Sequence, residues 1–372
     1  MTEVLYITNI PSPYRVDFFN QLGEKVKLTV CFECVKAKNR EQSWLNSQNM
    51  TYDTIVLNGV NYREDSCFSF DIINHINKHR NSVIILANYT SPSCIMAILY
   101  MKIKRIPFVI TADGGFVKND KWLVRKIKTN LMSAATYWIV SGKKTQEYVC
   151  YYGAKKERVC IVPFTSQKKS DILDKPISTD YKYNLKKKLG IPTEKINLLF
   201  VGQIIERKGI DILNRIAEEI SEDYCVMVAG GTRENYETTF NSQPNNKVSF
   251  LGFLGKEKLK EYYQAADIFI FPTREDIWGL VVNEAMSYGL PVITTEACIA
   301  GTELIRNGSN GYLVETENIE AYIHAINLLG SSRLREKIGK NALETIKDYT
   351  IENMVDIQSE YLIRIGDRNN GM

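Results

Sequence analysis

Residues 271–292, FPTREDIWGLVVNEAMSYGLPV, constrain the fold more than any other stretch of the chain. Phe271, Pro272 and Thr273 open a turn, the acids Glu275 and Asp276 follow, and a Trp278-Gly279 step comes next. Apolar residues at Leu280, Val281, Ala285 and Met286 then keep one helical face buried. Gly289 stands where a helix C-cap belongs, and Pro291 stops any extension. The stretch reads as a loop, a helix of about ten residues, a tight stop and a buried strand over 291–295.

The chemistry of this stretch sits at the helix entrance. Backbone N–H groups of Gly279, Leu280 and Val281 point outward with the helix dipole behind them, and such an end attracts phosphate. Ile277 and Trp278 flank it. Asp276 precedes the helix and Glu284 lies inside it. An all-helical path between the two acids rises about 12 Å, too wide for a hydrolase carboxylate pair at roughly 5–9.5 Å. The spacing suits two acids gripping hydroxyls at opposite ends of one long ligand with phosphate between them, as in a sugar nucleotide. A surface helix with two solvated acids is the plainer reading of this segment alone.

With 372 residues the chain exceeds one ordinary core and implies two domains. A hydrophobic content of 44% with 24% charged residues is that of a globular protein in water. The eight cysteines are scattered, mostly in apolar runs, which fits reduced, buried thiols in the cytoplasm. Cys31 and Cys34 form a lone CxxC with no second pair, so no metal site is expected. The N-terminus carries an acid at position 3 and no basic start, unlike a signal peptide. No run of about 18 apolar residues spans a membrane. Residues 1–190 hold 29 of the 47 Lys+Arg but 16 of the 43 Asp+Glu, a surplus of 13 positive charges against nine negative in the remainder. A basic front half implies an anionic partner, such as a phospholipid surface or a phosphate-bearing acceptor.

Residues 4–10 read as a strand, and Pro11-Ser12-Pro13 turn it into a helix beginning near Tyr14 and Arg15. Asn9 and Ser12 thus lie at a strand's carboxyl end, where open α/β sheets bind ligands. No glycine fingerprint follows, so a Rossmann dinucleotide site is not expected. Further strands are predicted at 27–34, 83–87, 108–112, 138–140 and 158–162, with helical patterns between them. Strand 108–112 ends in Asp113-Gly114-Gly115, where glycine permits close backbone approach, although an ordinary Gly-Gly turn fits equally well. In residues 116–132, Lys118, Lys121, Arg125 and Lys128 fall on one helical face, and Val117, Val124, Ile127 and Leu131 fall on another, core-facing one. Such a basic helix carrying Trp122 is of the kind that lies in a membrane interface; a solvated face is the alternative. Residues 166–189 are polar and lysine-rich, as a linker is. A second alternating series follows, with strands at 196–201, 224–229, 247–251, 267–271, 291–295 and 312–315. The last helical stretch spans 350–365, and the tail from Gly366 is expected to fray.

The second series opens Phe200-Val-Gly-Gln-Ile-Ile-Glu-Arg-Lys-Gly209. Gly202 lets the chain leave its strand tightly. Arg207 is able to bridge two phosphate oxygens, and Lys208 acts as a point charge. This loop, Gly230-Gly231 and the 276–284 segment all fall on the carboxyl rim of one parallel sheet. These segments, with Val248–Phe253, Leu259–Asp267 and Gly308-Ser-Asn-Gly311, occur in the order and spacing of one family. The chain resembles the retaining, nucleotide-sugar-dependent glycosyltransferases of family four, strongly over 190–350 and more weakly over 1–190.

The resemblance implies an α/β, GT-B fold: two Rossmann-like, doubly wound parallel-sheet domains facing across a cleft. The expected bounds are 1–167 for the first domain, 168–190 for a linker with a short helix and 191–347 for the second. Residues 348–372 would form a helix returning to the first domain. The resemblance assigns Asp276 to the donor sugar, Glu284 to the ribose hydroxyls and Lys208 to the diphosphate. Gln203 stands where the family has an arginine, with Arg207 as the candidate replacement. Gly252 and Phe253 would flank the base, and Gly202 and Gly230 would line the donor. Many relatives carry a histidine in the first domain's crevice; here Asp113 or Asn9 takes that position. The implied donor is a UDP- or GDP-sugar, with no other cofactor, no metal and no nucleic acid. The implied acceptor is a glycan or lipid-linked saccharide, handled in the cytoplasm or peripherally on the membrane's inner face. A non-catalytic sugar-nucleotide-binding or scaffold subunit, motivated by Gln203, and a sugar-nucleotide epimerase are the alternatives.

Overall fold

The computed structural model describes residues 1–34, 50–63 and 66–370. The chain divides into two compact units, Met1–Ser166 with Thr350–Met372, and Gln167–Tyr349. In the first unit the strands are β1 (Glu3–Thr8), β2 (Lys27–Phe32), β3 (Asp53–Val56), β4 (Val60–Arg63), β5 (Ser66–Phe68), β6 (Val83–Leu86), β7 (Phe108–Ala112), β8 (Tyr137–Val140) and β9 (Val159–Ile161). Seven of them form a parallel sheet in the order β3-β2-β1-β6-β7-β8-β9, and β4 and β5 form a separate antiparallel pair. Every residue of β6, β7 and β8 is buried, which is why these strands read as unbroken apolar runs rather than alternating ones. β3 is an exposed strand at the sheet's edge, so no apolar run marked it in the sequence.

Two expectations about this unit need correction. Of the apolar positions expected to face the core from 116–132, only Leu131 is buried, while Val117, Val124 and Ile127 are exposed. The helix covers Trp122–Met132, in which only Leu131 and Met132 are buried; Arg125 and Lys126 are exposed and Lys128 is half-buried. Lys128 pairs with Asp120 at 2.8 Å, and the Arg125 guanidinium lies 4.7 Å over the Tyr151 ring. The tail does not fray at Gly366 either, because helix Ile351–Asn370 continues through it. A Cβ at Gly366 would come within 2.7 Å of the Thr2 side chain, so glycine lets the helix pass beside the N-terminal strand. Tyr361 fastens the same helix by donating to the Arg158 carbonyl at 2.5 Å.

The second unit contains β10 (Ile196–Val201), β11 (Tyr224–Ala229), β12 (Val248–Phe250), β13 (Ile268–Phe271), β14 (Val292–Thr295) and β15 (Gly311–Val314). They form one parallel sheet in the order β12-β11-β10-β13-β14-β15. Much of the expected linker belongs here. Ser178 caps helix Thr179–Leu189, and Gly190, at φ 68°, ends it. Lys182 and Lys186 of this helix reach the buried Asp267 at 3.4 and 2.6 Å, and Asp267 also accepts the Asn197 backbone N–H at 2.9 Å. A single acid thereby fixes the helix to the starts of β10 and β13. The loop after β10 passes so close to β13's exit that a Cβ on Gly209, at φ 69°, would stand 1.8 Å from the Pro272 carbonyl oxygen.

Two outcomes are expected. Burial opposes ionisation of Asp267, but Lys182, Lys186 and the Asn197 amide outweigh it and hold its pKa below the ordinary 3.8. Its contribution is therefore complete above 3.8 and is lost as pH falls through the depressed folded-state value. Asp267→Asn should cost about 3–5 kcal/mol near neutrality, because it strands buried Lys186. Below 3.8 the gap to wild type should shrink; denaturant titration at both pH values checks this, and an equal gap contradicts it. Gly209→Ala should lower stability by about 2–4 kcal/mol, since backbone must move on both sides. A thermal midpoint matching wild type would show that the loop yields.

Candidate functional site

In the second unit the order of strands reverses between β10 and β13, which are neighbours in the sheet. The chain leaves their carboxyl ends at Gly202 and Pro272, the place where ligand crevices open in such sheets. The first loop runs through Gly202, Gln203 and a 3-10 turn, Glu206–Lys208, before helix Ile210–Glu219. The second loop, 272–279, is laced to it through main chain. Arg207 Nη1 donates to the Glu275 carbonyl at 2.7 Å, and the Arg274 N–H and Thr273 Oγ1 donate to the Arg207 carbonyl at 2.9 and 3.0 Å. From the other side, the Asp276 N–H donates to the Ala297 carbonyl at 2.9 Å.

This lacing brings Lys208 and Asp276 together. Lys208 Nζ forms an ion pair with Asp276 Oδ2 and sits 5.2 Å over the Phe271 ring, with both side chains largely shielded from solvent. An ammonium has three donors, so the pair leaves donor capacity on Lys208 for a further anion. Arg207 is exposed and spends a donor on the loop backbone, so part of its role is to hold the acidic loop. Arg274, which sequence reasoning did not single out, braces the same loop. It holds Asp211 through two bonds of 2.7 Å, Glu317 at 2.7 Å and the Glu206 carbonyl at 2.8 Å. Burial works against the Asp211 charge, but the Arg274 guanidinium prevails and lowers its pKa. No local pattern announces Arg274, because its partners come from distant segments.

The glycines cluster at the same rim. Gly202 donates to the Ala229 carbonyl at 2.9 Å, and Gly230 donates to the Gly252 carbonyl at 2.8 Å. A Cβ on Gly230, at φ 114°, would lie 2.3 Å from the Gly202 oxygen. Just beyond Gly252, the Phe253 ring is 79% exposed, and Gln203 is exposed as well.

Helix Leu280–Ser287 has eight residues rather than ten, with Gly279 at its N-cap. Asp276 lies in the loop before it, so the 12 Å all-helical rise does not describe the path from Asp276 to Glu284. Trp278 also departs from its expected place in the donor site. Its ring is buried and its indole N–H donates to Asn283 at 2.8 Å, leaving only its backbone at the helix mouth beside exposed Ile277. A Cβ on Gly279 would meet Cys298 Sγ at 2.5 Å, so this sulfur floors the mouth; burial pushes its thiol pKa up to about 12. The amides of Leu280 and Val281 begin the helix and have no intrahelical acceptor. One turn on, Glu284 accepts from Tyr263 Oη at 2.8 Å, and buried Tyr263 stacks on Tyr288 at 5.3 Å. Tyr263 was likewise missed, since an aromatic in an apolar helix face reads as core.

In the first unit, sequence-selected residues also meet. Buried Arg15, in helix Pro13–Gly23, forms an ion pair with Asp113 and donates to Tyr6 Oη at 3.3 Å. Burial penalises the guanidinium charge, but Asp113 outweighs it and raises its pKa. Tyr14 packs edge-on against Phe164 at 6.1 Å, and Ser12 occupies the N-cap by backbone conformation without a side-chain cap bond. The Asn9 carbonyl accepts from the Cys34 N–H at 3.0 Å. Gly114 is half-buried, whereas a Cβ on Gly115 would strike the Tyr148 ring at 2.7 Å. Arg15, Asp113, Tyr14, Thr111 and Gln358 line one cavity, and into its lining go two buried polar atoms, Thr111 Oγ1 and Gln358 Nε2, that lack a hydrogen-bond partner.

Residues 182–345 match the model of the family described as glycosyl transferases group 1. An uncharacterized glycosyltransferase of Methanocaldococcus jannaschii, MJ1607, is 28% identical over 216 residues, which cover 54% of this chain and 55% of that protein. The chain spans about half the length of the curated relatives it matches. Among solved structures, Anabaena Alr3699/HepE in complex with UDP and glucose superposes with a TM-score of 0.77 at 16% identity, covering 98% of this chain and 100% of that one. WaaG, a glycosyltransferase involved in lipopolysaccharide biosynthesis, superposes with a TM-score of 0.68 at 17% identity, covering 96% and 98%. The expected fold of two Rossmann-like parallel-sheet domains is thus present, and it is the fold of GT-B glycosyltransferases. Residues 182–345, which include Lys208, Asp276, Glu284 and the rim that carries them, are the part of the chain that is similar to the glycosyl transferases group 1 family.

Proposed function

We propose that the protein transfers a sugar, with retention of anomeric configuration, from a UDP- or GDP-sugar to a hydroxyl of a glycan or lipid-linked saccharide. The observation that carries this reading is the Lys208–Asp276 pair at the sheet's strand-order reversal, beside the N-terminus of helix Leu280–Ser287. As the sugar carbon leaves the diphosphate, negative charge collects on the β-phosphate. Lys208 and the unpaired helix amides are fixed donors that stabilise that charge without reorganising. Asp276 keeps Lys208 aimed before the donor arrives and stands next to the sugar afterwards.

Glu284, oriented by Tyr263, takes the ribose hydroxyls, and exposed Phe253 offers a face to the base. Gln203 and the backbone of Gly202, Gly230, Gly279, Leu280 and Val281 line the donor. In a front-face route the departing phosphate removes the acceptor proton, so neither a histidine base nor a metal takes part. Arg15, Asp113 and Asn9 of the first unit receive the acceptor, where the two unpartnered polar atoms suit hydroxyl groups. That HepE was crystallised with UDP and glucose supports the nucleotide-sugar donor, and the name of WaaG supports a saccharide acceptor on a lipid. Such an acceptor would bring the protein to the cytoplasmic face of a membrane.

A panel of UDP- and GDP-sugars tests the reading, with thermal shift for binding, release of free nucleotide diphosphate for turnover and NMR for the product's anomeric configuration. Lys208→Ala and Glu284→Ala should each reduce transfer more than about tenfold, because each removes a charged contact worth roughly 1.5–3 kcal/mol. Tyr263→Phe should raise the donor KM about fivefold and leave kcat near wild type, as expected for a residue that only orients Glu284. Binding without release of diphosphate would point to a non-catalytic sugar-nucleotide-binding subunit. Conversion of the donor sugar with no acceptor present would point to an epimerase.

A further inference from the structure

A guanidinium presents five N–H donors in one plane. On Arg274 four bonds are already made inside the protein. Nη1 and Nη2 each hold one oxygen of Asp211 at 2.7 Å, Nε holds Glu317 at 2.7 Å, and Nη1 also reaches the Glu206 carbonyl at 2.8 Å. Arg274 is therefore committed to the fold, whereas Lys208 spends one of three donors on Asp276 and keeps the others for an anion.

The partners of Arg274 bracket the ion pair. Glu206 opens the 3-10 turn that ends at Lys208, and Asp211 lies in the first turn of helix Ile210–Glu219, just beyond it. Arg274 itself stands two residues before Asp276. Glu317 comes from the connection between β15 and helix Ile319–Leu328. The backbone contacts at Arg207 and Gly209 set how closely the two loops approach. Joined only there, the loops could pivot about each other; a two-bond, planar attachment to the next helix removes that freedom. The side chains of Arg274 and Asp211 are 26% and 28% exposed, so the clamp is not a freely solvated surface pair.

Placement of Lys208 matters most when the bond to the sugar breaks. In a sugar nucleotide the β-phosphate is a diester with a single negative charge. In the released diphosphate it is a monoester whose second ionisation lies at about 6. A displaced ammonium loses most where the charge is greatest, so a loosened clamp weakens contact with the leaving group more than with the intact donor.

We infer that Arg274 is a positioning residue for the proposed transfer: by clamping Asp211 and Glu317 it holds Lys208 and Asp276 in the geometry that meets the departing β-phosphate. This rests on the transfer reading of the site and adds to it the residue that sets its geometry.

Steady-state kinetics with a donor that wild type turns over, together with calorimetric titration of the matching nucleoside diphosphate, tests it. Arg274→Lys keeps the positive charge and loses the planar fork. It should lower kcat and weaken the nucleoside diphosphate about tenfold each, with the donor KM within about threefold of wild type. Asp211→Asn should show the same split. In Arg274→Ala, millimolar methylguanidinium should restore part of kcat, and methylammonium should not. Asp267→Asn is the control for stability alone: it should lower the thermal midpoint and leave kcat at the wild-type value wherever it is folded. Wild-type kcat and diphosphate affinity in Arg274→Lys overturn the inference. So does a loss that disappears once the assay is cooled well below the variant's thermal midpoint. If wild type binds the nucleoside diphosphate but releases none from any sugar donor, the transfer reading fails and the titration alone decides on Arg274. If wild type binds no nucleoside diphosphate, both fall together.

Discussion

A parallel sheet whose strand order reverses leaves two adjacent carboxyl ends with a gap between their loops, and the second unit is arranged around that gap. β10 and β13 end side by side, and the loops that follow them meet at Gly209 and Pro272 at a distance only glycine allows. Because the backbones meet there, Lys208 and Asp276 have no room to avoid each other. Each makes the other's shielded charge tolerable, and removing either one would leave an uncompensated ion beside Phe271. The meeting of Lys208 and Asp276 at the rim follows from backbone topology first and from side-chain chemistry second.

The first unit repeats this logic with different residues. Its strand order reverses between β1 and β6. The helix after β1 supplies Arg15 and the turn after β7 supplies Asp113, so a buried cation again meets an acid at the carboxyl rim. Arg15 is the more deeply committed of the two cations, being buried and bonded to Tyr6 as well. The sequence showed only a proline-flanked turn and an Asp-Gly-Gly step, and the pairing of residues 98 positions apart is tertiary.

What could be read in advance follows the range over which each signal acts. Strands buried on both faces, such as β7, β10 and β11, were placed at their observed bounds because burial forces continuous apolar composition. Strand β3 escaped notice because an exposed edge imposes no such composition. The tight exits at Gly202 and Gly230 were legible, since close backbone approach demands glycine locally. Arg274 and Tyr263 were missed, since each is defined by partners from distant segments. Helix Trp122–Met132 misled for a related reason. Periodicity established two faces, but the assumption that the apolar one looks inward was overturned by Asp120 and Tyr152, which draw Lys128 in.

At Glu275 the acidic loop 273–276 is held through its main chain, with the Glu275 carbonyl accepting from Arg207 Nη1 and the neighbouring Arg274 and Asp276 amides donating to the Arg207 and Ala297 carbonyls. Such anchorage is indifferent to which side chain stands at Glu275 or Ile277. Evolution is therefore at liberty to rewrite the loop's outward residues, and with them the preferred cargo, while the path of the chain stays put.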